Sequence, residues 1–386
     1  MSSRQAAVVL FPTLTVLLLA ASCHGVPSAP HEAGIPAPQP VSTGEYLVGA
    51  YYFPGWPTQE KWKVLDAFPE RMPLLGYYRE GDPVVMDWQI KWAVEHGIAF
   101  FAFDWYWDRG QRQLEHALHD GYLRARFRSS MKFCLLWANH NPPKSSSEAD
   151  LLAMTDYWIA QYFREPDYLT VDGKPVVIVF TPRTLREDMG TDAVRAGFQR
   201  VRARVRAAGL PGIFIMGATR ESPDGLRALA HEGYDASTGY NYPHAGMADP
   251  TALSAPYAHM VDGYEQIWNS IAAQGIIDYA PVTEPGWDSR PWHGAEALVR
   301  TGRDPEQFED MLRRARAFTD RHPLAGGKKL VLIEAWNEYG EGEIIEPHRQ
   351  WAFAYLDAIR RVFARAGERH RDLTPADLGL SVPPAP

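Results

Sequence analysis

Leu330–Pro347 reads L-V-L-I-E-A-W-N-E-Y-G-E-G-E-I-I-E-P. The apolar run Leu330–Ile333 has the length and residue type of a buried strand. It then breaks into Glu334, Trp336, Asn337, Glu338 and Glu341, punctuated by Gly340 and Gly342. Unpaired buried charge is expensive, so a buried strand that ends in carboxylates and an indole requires a reason. The most economical reason is a reactive cleft at the carboxyl end of that strand.

Upstream, apolar β-type runs alternate with helical patterns. The runs are Tyr46–Phe53, Ile98–Asp104, Met131–Trp137, Pro175–Thr181, Ile213–Ala218, Ala236–Tyr242, Ile277–Thr283 and, last, Lys329–Ala335. Helical periodicity fills the gaps: Val194, Phe198, Val201 and Val205 share one face, and the arginines around them read as a solvated face. Ser222-Pro223 opens a helix that Gly233 closes, and Asp304-Pro305 opens another. Eight strands separated by helices predict a single (β/α)8 barrel over residues 46–370. A doubly wound open sheet is the second choice, because no Gly-rich phosphate fingerprint follows the first strand. Ala236–Tyr242, with its polar S-T-G-Y-N-Y, is the least strand-like of the eight.

The chain's 386 residues, 46% hydrophobic and 22% charged, suffice for a sizeable core. A net charge of −8 argues against a nucleic-acid partner. Ahead of the barrel, residues 1–22 have the parts of a secretory signal peptide: Arg4, an apolar run, then small residues. The L-A-A-S-C ending predicts lipidation at Cys23, with the chain exported and held to a bacterial membrane. The alternative is an ordinary signal peptide with a bystander cysteine. Residues 23–45 read as a Pro/Ala-rich tether and residues 371–386 as a loose tail. Cys134, inside an apolar run, reads as a buried thiol, and the chain is expected to be a monomer.

A barrel carries its active site at the carboxyl ends of its strands. Those ends offer Tyr52 and Trp56; Asp104 and Trp105; Trp137 and Asn139; Tyr240 and Tyr242; Trp287, Asp288 and Arg290; and finally Glu334, Trp336 and Asn337. Aromatic rings mixed with carboxylates and amides suit a sugar, whose ring faces are apolar and whose edges are hydroxyls. The expected substrate is a polysaccharide or glycan. Cleaving a glycosidic bond needs one carboxylic acid at the leaving oxygen and a second carboxylate at the sugar. Glu338 and Glu341 are the natural pair; on a helical turn their Cβ atoms would lie roughly 5–6 Å apart. Asp288 and Arg290 could bind sugar hydroxyls or fix the loop by pairing with each other. His140 and His244 lack metal-motif spacing. No metal or cofactor is expected.

W-N-E-Y-G-E-G (Trp336–Gly342) with I-E-P (Ile345–Pro347) resembles the terminal motif of glycoside hydrolase family 99 and its WbsX-like relatives. Y-Y-F-P-G-W (Tyr51–Trp56), D-W-Y-W (Asp104–Trp107), W-A-N-H (Trp137–His140) and P-G-W-D-S-R-P-W (Pro285–Trp292) extend the likeness across residues 46–360. The resemblance implies a (β/α)8 barrel and retaining, endo-acting α-mannosidase-like hydrolysis. It implies Glu338 as the base on the sugar 2-hydroxyl, forming an epoxide-like intermediate, Glu341 as general acid/base, and Glu334 lining the reacting sugar. Tyr339-Gly340 stands where the hydrolase motif has Trp-His, which loosens the inference to mannose. The WbsX-like label also suggests glycosyl transfer in polysaccharide synthesis, and a third possibility is a non-catalytic glycan-binding lipoprotein. A metal hydrolase ranks below these.

Overall fold

The computed structural model describes residues 34–140, 142–220, 222–365 and 370–386. The signal-peptide segment and Cys23 lie outside the described residues. The eight runs form β1 (Tyr46–Tyr52), β2 (Phe100–Asp108), β3 (Lys132–Trp137), β4 (Lys174–Val179), β5 (Phe214–Ala218), β6 (Ala236–Thr238), β7 (Val282–Thr283) and β8 (Lys329–Ile333). They lie parallel in the order β7-β8-β1-β2-β3-β4-β5-β6. A bridge between Ser237 and Tyr279 links β6 to the run leading into β7, with Ser237 N–H to Asp278 O at 2.8 Å and Ala280 N–H to Ser237 O at 2.9 Å. The fold is therefore a nearly closed (β/α)8 barrel. β6 is short because only Ala236–Thr238 stays in the ladder; the polar residues after it turn into the loop above the barrel.

The outer helices are α1 (Pro83–Glu95), α2 (Glu148–Gln161), α3 (Pro182–Met189), α4 (Thr191–Ala207), α5 (Pro223–Glu232), α6 (Tyr257–Gln274), α7 (Pro305–Arg321) and α8 (Ala354–Phe363). Their starts are written in the sequence. Asp82 accepts from Val84 N–H at 2.8 Å, Ser147 from Asp150 N–H at 3.1 Å and Asp304 from Gln307 N–H at 2.9 Å. Gly233 closes α5 at φ 88°, a conformation in which a Cβ is strained. The β2–β3 crossover departs from the pattern: Ala117–Gly121, Tyr122–Arg124 and Arg128–Ser130 are short turns, not an α-helix.

The described part of the expected tether, residues 34–45, and the expected loose tail, residues 371–386, are packed. Ile35 is buried; Gln39 N–H donates to Glu95 Oε1 at 2.9 Å and Val41 N–H to Val94 O at 3.1 Å. At the other end, Arg79 N–H donates to Pro383 O at 3.0 Å and Ala385 N–H to Tyr77 O at 2.9 Å. For residues 34–45 the cause is α1, in which every residue from Val84 to Glu95 is buried. A helix apolar or paired all round needs cover on its outer side. Pro-rich chain supplies that cover through backbone bonds, which leave no periodic signature. Among the described residues no helix is long and apolar enough to cross a membrane.

Candidate active site

The cleft at the carboxyl end of the barrel has a volume of about 400 Å³ and is lined by Asp104, Tyr106, Tyr240, Trp287, Trp292, Glu338 and Glu341, with Phe53, Phe180, Asn241 and His140 among its other walls. Strand pleating decides which residues reach it. Side chains alternate across a strand, so Asp104 and Tyr106 face the cleft while Trp105 turns outward. Trp105 Nε1–H donates to Glu115 Oε1 at 2.9 Å, and the ring packs edge-on against Trp158 at 5.4 Å. Tyr52 is turned likewise, its hydroxyl donating to Gln89 of α1 at 3.1 Å. Trp137 is buried outside the lining, and Trp336 packs on Phe101 with ring centroids 5.0 Å apart.

Glu338 and Glu341 sit on a tight hairpin instead of the helical turn the spacing suggested. Asn337–Glu338 pairs antiparallel with Glu343–Ile344. Glu341 N–H and Gly342 N–H both donate to Glu338 O, at 3.2 and 3.0 Å. Gly342 has φ 78°, and a Cβ there would lie 2.9 Å from the Arg303 guanidinium. This turn carries both acids into the same cleft.

Behind the hairpin, several predicted site residues act as fixings. Asn337 clamps Phe53, accepting from its N–H and donating to its C=O, each at 2.9 Å. Trp56 Nε1–H donates to Asn337 O at 2.9 Å, and Glu80 accepts from Trp56 N–H at 2.9 Å. Asn139 ties the β3 loop to Thr181 through bonds of 2.9 and 2.7 Å. Asp288 pairs with Arg71 at 2.5 Å and Arg290 at 2.6 Å, holding the loop after β7. Tyr242 donates to Thr219 O at 2.6 Å and lines a neighbouring cleft of about 730 Å³. Glu346 of the I-E-P segment accepts from Tyr339 OH at 2.7 Å, Gln89 Nε2–H at 2.8 Å and Tyr78 OH at 2.9 Å. Glu346→Ala would leave those buried donors without a partner. The expected result is a loss of about 3 kcal/mol of stability, read by chemical denaturation.

Gly340 explains the departure from the Trp-His pattern. A Cβ at this position would lie 1.7 Å from Trp292 Nε1, so only glycine leaves room for the Trp292 indole. That ring stacks on Trp56 at 5.7 Å, and it also hydrogen-bonds Glu338. Trp292 is 38% exposed and can swing away. Gly340→Ala is therefore expected to remove one cleft wall and, if the cleft turns over a glycan, to lower kcat/KM about tenfold. The melting temperature should stay close to wild type, so calorimetry beside kinetics checks both halves.

The electrostatics favour protons. Among the described residues no lysine or arginine lines the cleft. Glu334 is fully buried below it, and neither carboxyl oxygen has a hydrogen-bond partner. Burial, then Asp104 and Glu338, push its pKa well above the ordinary carboxyl range. Burial raises Asp104, against a bond from Tyr240 OH at 3.1 Å. Burial and then the Glu341 charge raise Glu338. Burial lifts Glu341 to about 7, opposed by a hydrogen bond with Glu343. Close acids that are largely buried cannot all ionise, so the group retains at least one proton at neutral pH.

Glu343, across the hairpin from Glu338, escaped sequence reasoning because nothing in its spacing sets it apart. It is fully buried and hydrogen-bonds both Glu341 and Glu284. Glu284, raised by burial to about 8, also accepts from Tyr264 OH. Two carboxyl groups bond to each other only when one keeps its proton. Phe180 was missed as well, though it follows β4 as the other lining residues follow their strands.

The family described as "Glycosyltransferase WbsX" matches residues 68–359. The uncharacterized protein WxcX of Xanthomonas campestris pv. campestris is 28% identical over 322 residues, 77% of this chain and 44% of that protein. The chain thus spans less than half the length of the curated relatives it matches. Among solved structures, a "glycoside hydrolase-like protein" superposes with TM-score 0.63 at 19% identity, over 86% of this chain and 98% of its own. The GH99 endo-α-mannosidase from Bacteroides thetaiotaomicron superposes with TM-score 0.56 at 16% identity, over 81% and 95% respectively. At such identities the likeness is one of fold: a glycoside hydrolase-like barrel similar to that of GH99 enzymes.

Proposed function

Since the chain belongs to the WbsX family and folds as a glycoside hydrolase-like barrel, we propose that it is a retaining glycoside hydrolase acting on a polysaccharide or glycan. The observation that carries the reading is the placement of Glu338 and Glu341 in one aromatic-walled cleft, with burial holding Glu341 near pKa 7. A carboxyl group poised there is a competent general acid at neutral pH.

In this mechanism the two acids enter the reaction with one proton between them, carried by Glu341, and the ionised Glu338 removes the proton of the sugar 2-hydroxyl as that oxygen attacks C1. Glu341 simultaneously protonates the departing glycosidic oxygen. Water, deprotonated by Glu341, then opens the strained ring at C1, and Glu338 returns its proton to O2. Two inversions give net retention. Trp287 and Trp292 offer apolar faces to the sugar, while Asp104 and Tyr240 reach its hydroxyls. Export and a lipid anchor on Cys23 complete the proposal and would place the enzyme where external glycans are met.

The second reading is glycosyl transfer. The family's description and the adjoining 730 Å³ cleft, lined by Arg183, Arg186 and Arg220, favour it, since a sugar-nucleotide diphosphate would need such cations. Incubation with mannans, rhamnans and sulfated or capsular polysaccharides separates the readings. New reducing ends without added nucleotide sugar support hydrolysis. Product formation only with a nucleotide sugar would replace it with transfer, and binding with neither product would leave a glycan-binding protein.

A further inference from the structure

The opposite, amino-terminal face of the barrel gathers a different group. His96 caps the end of α1, and its ring is fully buried. Its Nδ1 lies 2.6 Å from Trp92 O. A carbonyl only accepts, so Nδ1 carries the hydrogen and the neutral ring presents a lone pair at Nε2. That nitrogen lies 3.2 Å from Asp372 Oδ1, and His370 Nε2 approaches the same oxygen at 2.9 Å. All three atoms are buried and none makes a directed hydrogen bond. They lie within 4.8 Å of one another, and Asp357 Oδ1 is 3.8 Å from His96 Nε2.

Acceptors gathered out of water with no donor between them repel unless a positive charge joins them. Either protons on the imidazoles or a metal ion between them would supply it. The ligand types decide the metal. Magnesium and calcium take oxygen donors, whereas zinc binds imidazole and carboxylate together in closed tetrahedral sites. Bonds of about 2.0–2.2 Å give tetrahedral edges of roughly 3.3 Å, close to both nitrogen–oxygen separations. The hydrogen bond from His96 Nδ1 to a backbone carbonyl is the outer support that zinc-binding histidines ordinarily have.

We propose that His96, His370 and Asp372, with Asp357 in reach as a fourth ligand, form a structural zinc site. It clamps the segment around Asp372 onto the end of α1, where Leu373 O already accepts from Trp92 Nε1–H at 2.8 Å. The ion takes no part in the cleft chemistry, which lies at the other end of the barrel.

The full chain, stripped with a chelator and desalted, is titrated with zinc chloride. The expected result is one tightly bound equivalent and a melting temperature raised by roughly 3–5 °C. Cobalt in place of zinc should give the visible absorption of a tetrahedral nitrogen–oxygen site. His370→Ala and Asp372→Asn, at partly exposed positions, should fold yet lose both effects; His96→Ala is avoided because its ring is core. A chelator-treated wild type with unchanged melting temperature, no zinc uptake and no cobalt band would overturn the proposal and leave an ion-paired imidazolium cluster only. Zinc uptake undiminished in both variants would overturn it as well.

Discussion

Glu341→Gln is expected to lower kcat by about 10²–10⁴ on a natural glycan. The amide keeps the shape of the carboxyl group but has no proton to give the leaving oxygen, so KM should move little. An aryl glycoside with a strongly acidic phenol needs no such proton for its departure. Its first step should therefore run in the variant at close to the wild-type rate. The pH profile supplies the second half of the test. Burial holds Glu341 near 7, and the acid must enter the reaction protonated. Wild-type kcat/KM should accordingly fall as pH rises through about 7, and the variant should lose that limb. Equal losses in that first step on both substrates would mean that Glu341 is not the proton donor.

Glu338→Gln is expected to cost at least about 10³ in kcat, and the activated aryl glycoside should not rescue it. The reason is a difference in role: a better leaving group replaces an acid but not the base that makes the sugar's own oxygen nucleophilic. The same substitution should strengthen the fold at alkaline pH. Burial and the Glu341 charge raise the pKa of Glu338. Its folded pKa thus lies above its unfolded one, near 4.3. Its stabilising contribution is complete below that unfolded value and is lost as pH climbs through the folded value. Glutamine does not titrate. The variant's advantage in melting temperature should therefore widen from pH 5 to pH 8, and a constant difference across that range would refute the ionisation argument.

The barrel was legible because most of its strands fall in apolar runs and four of its eight outer helices start on a side-chain cap. The hairpin was not. Its Glu338-to-Glu341 turn depends on Gly342 at φ 78° and on the pairing of Glu338 with Glu343, and neither follows from spacing. The cleft list taken from strand ends was too generous by one half of each pleat. Tyr52, Trp105 and Trp137 belong to the helix-facing set, while Asp104, Tyr106 and His140 belong to the lumen. A strict two-residue alternation from Ala102 or Leu136 would have separated them. Asp288 and Arg290 pair with each other, as one of their two readings held, and Arg71 joins them from far away in sequence. The fixings around Glu346 and Glu80 join distant segments and are invisible to any local pattern. The same is true of the packing of residues 34–45 against α1.

The crowd of acids beneath the hairpin also has a practical side. A hollow with Asp104, Glu338 and Glu341 in its walls, Glu334 below it and, among the described residues, no lysine or arginine in its lining is a trap for small organic cations. An incoming ammonium would draw protons off the carboxyl groups and be held in their place. Buffers such as tris, themselves hydroxylated amines the size of a sugar, should occupy that hollow and mask turnover. Ring-nitrogen sugar mimics, for the same reason, are the inhibitors to make first.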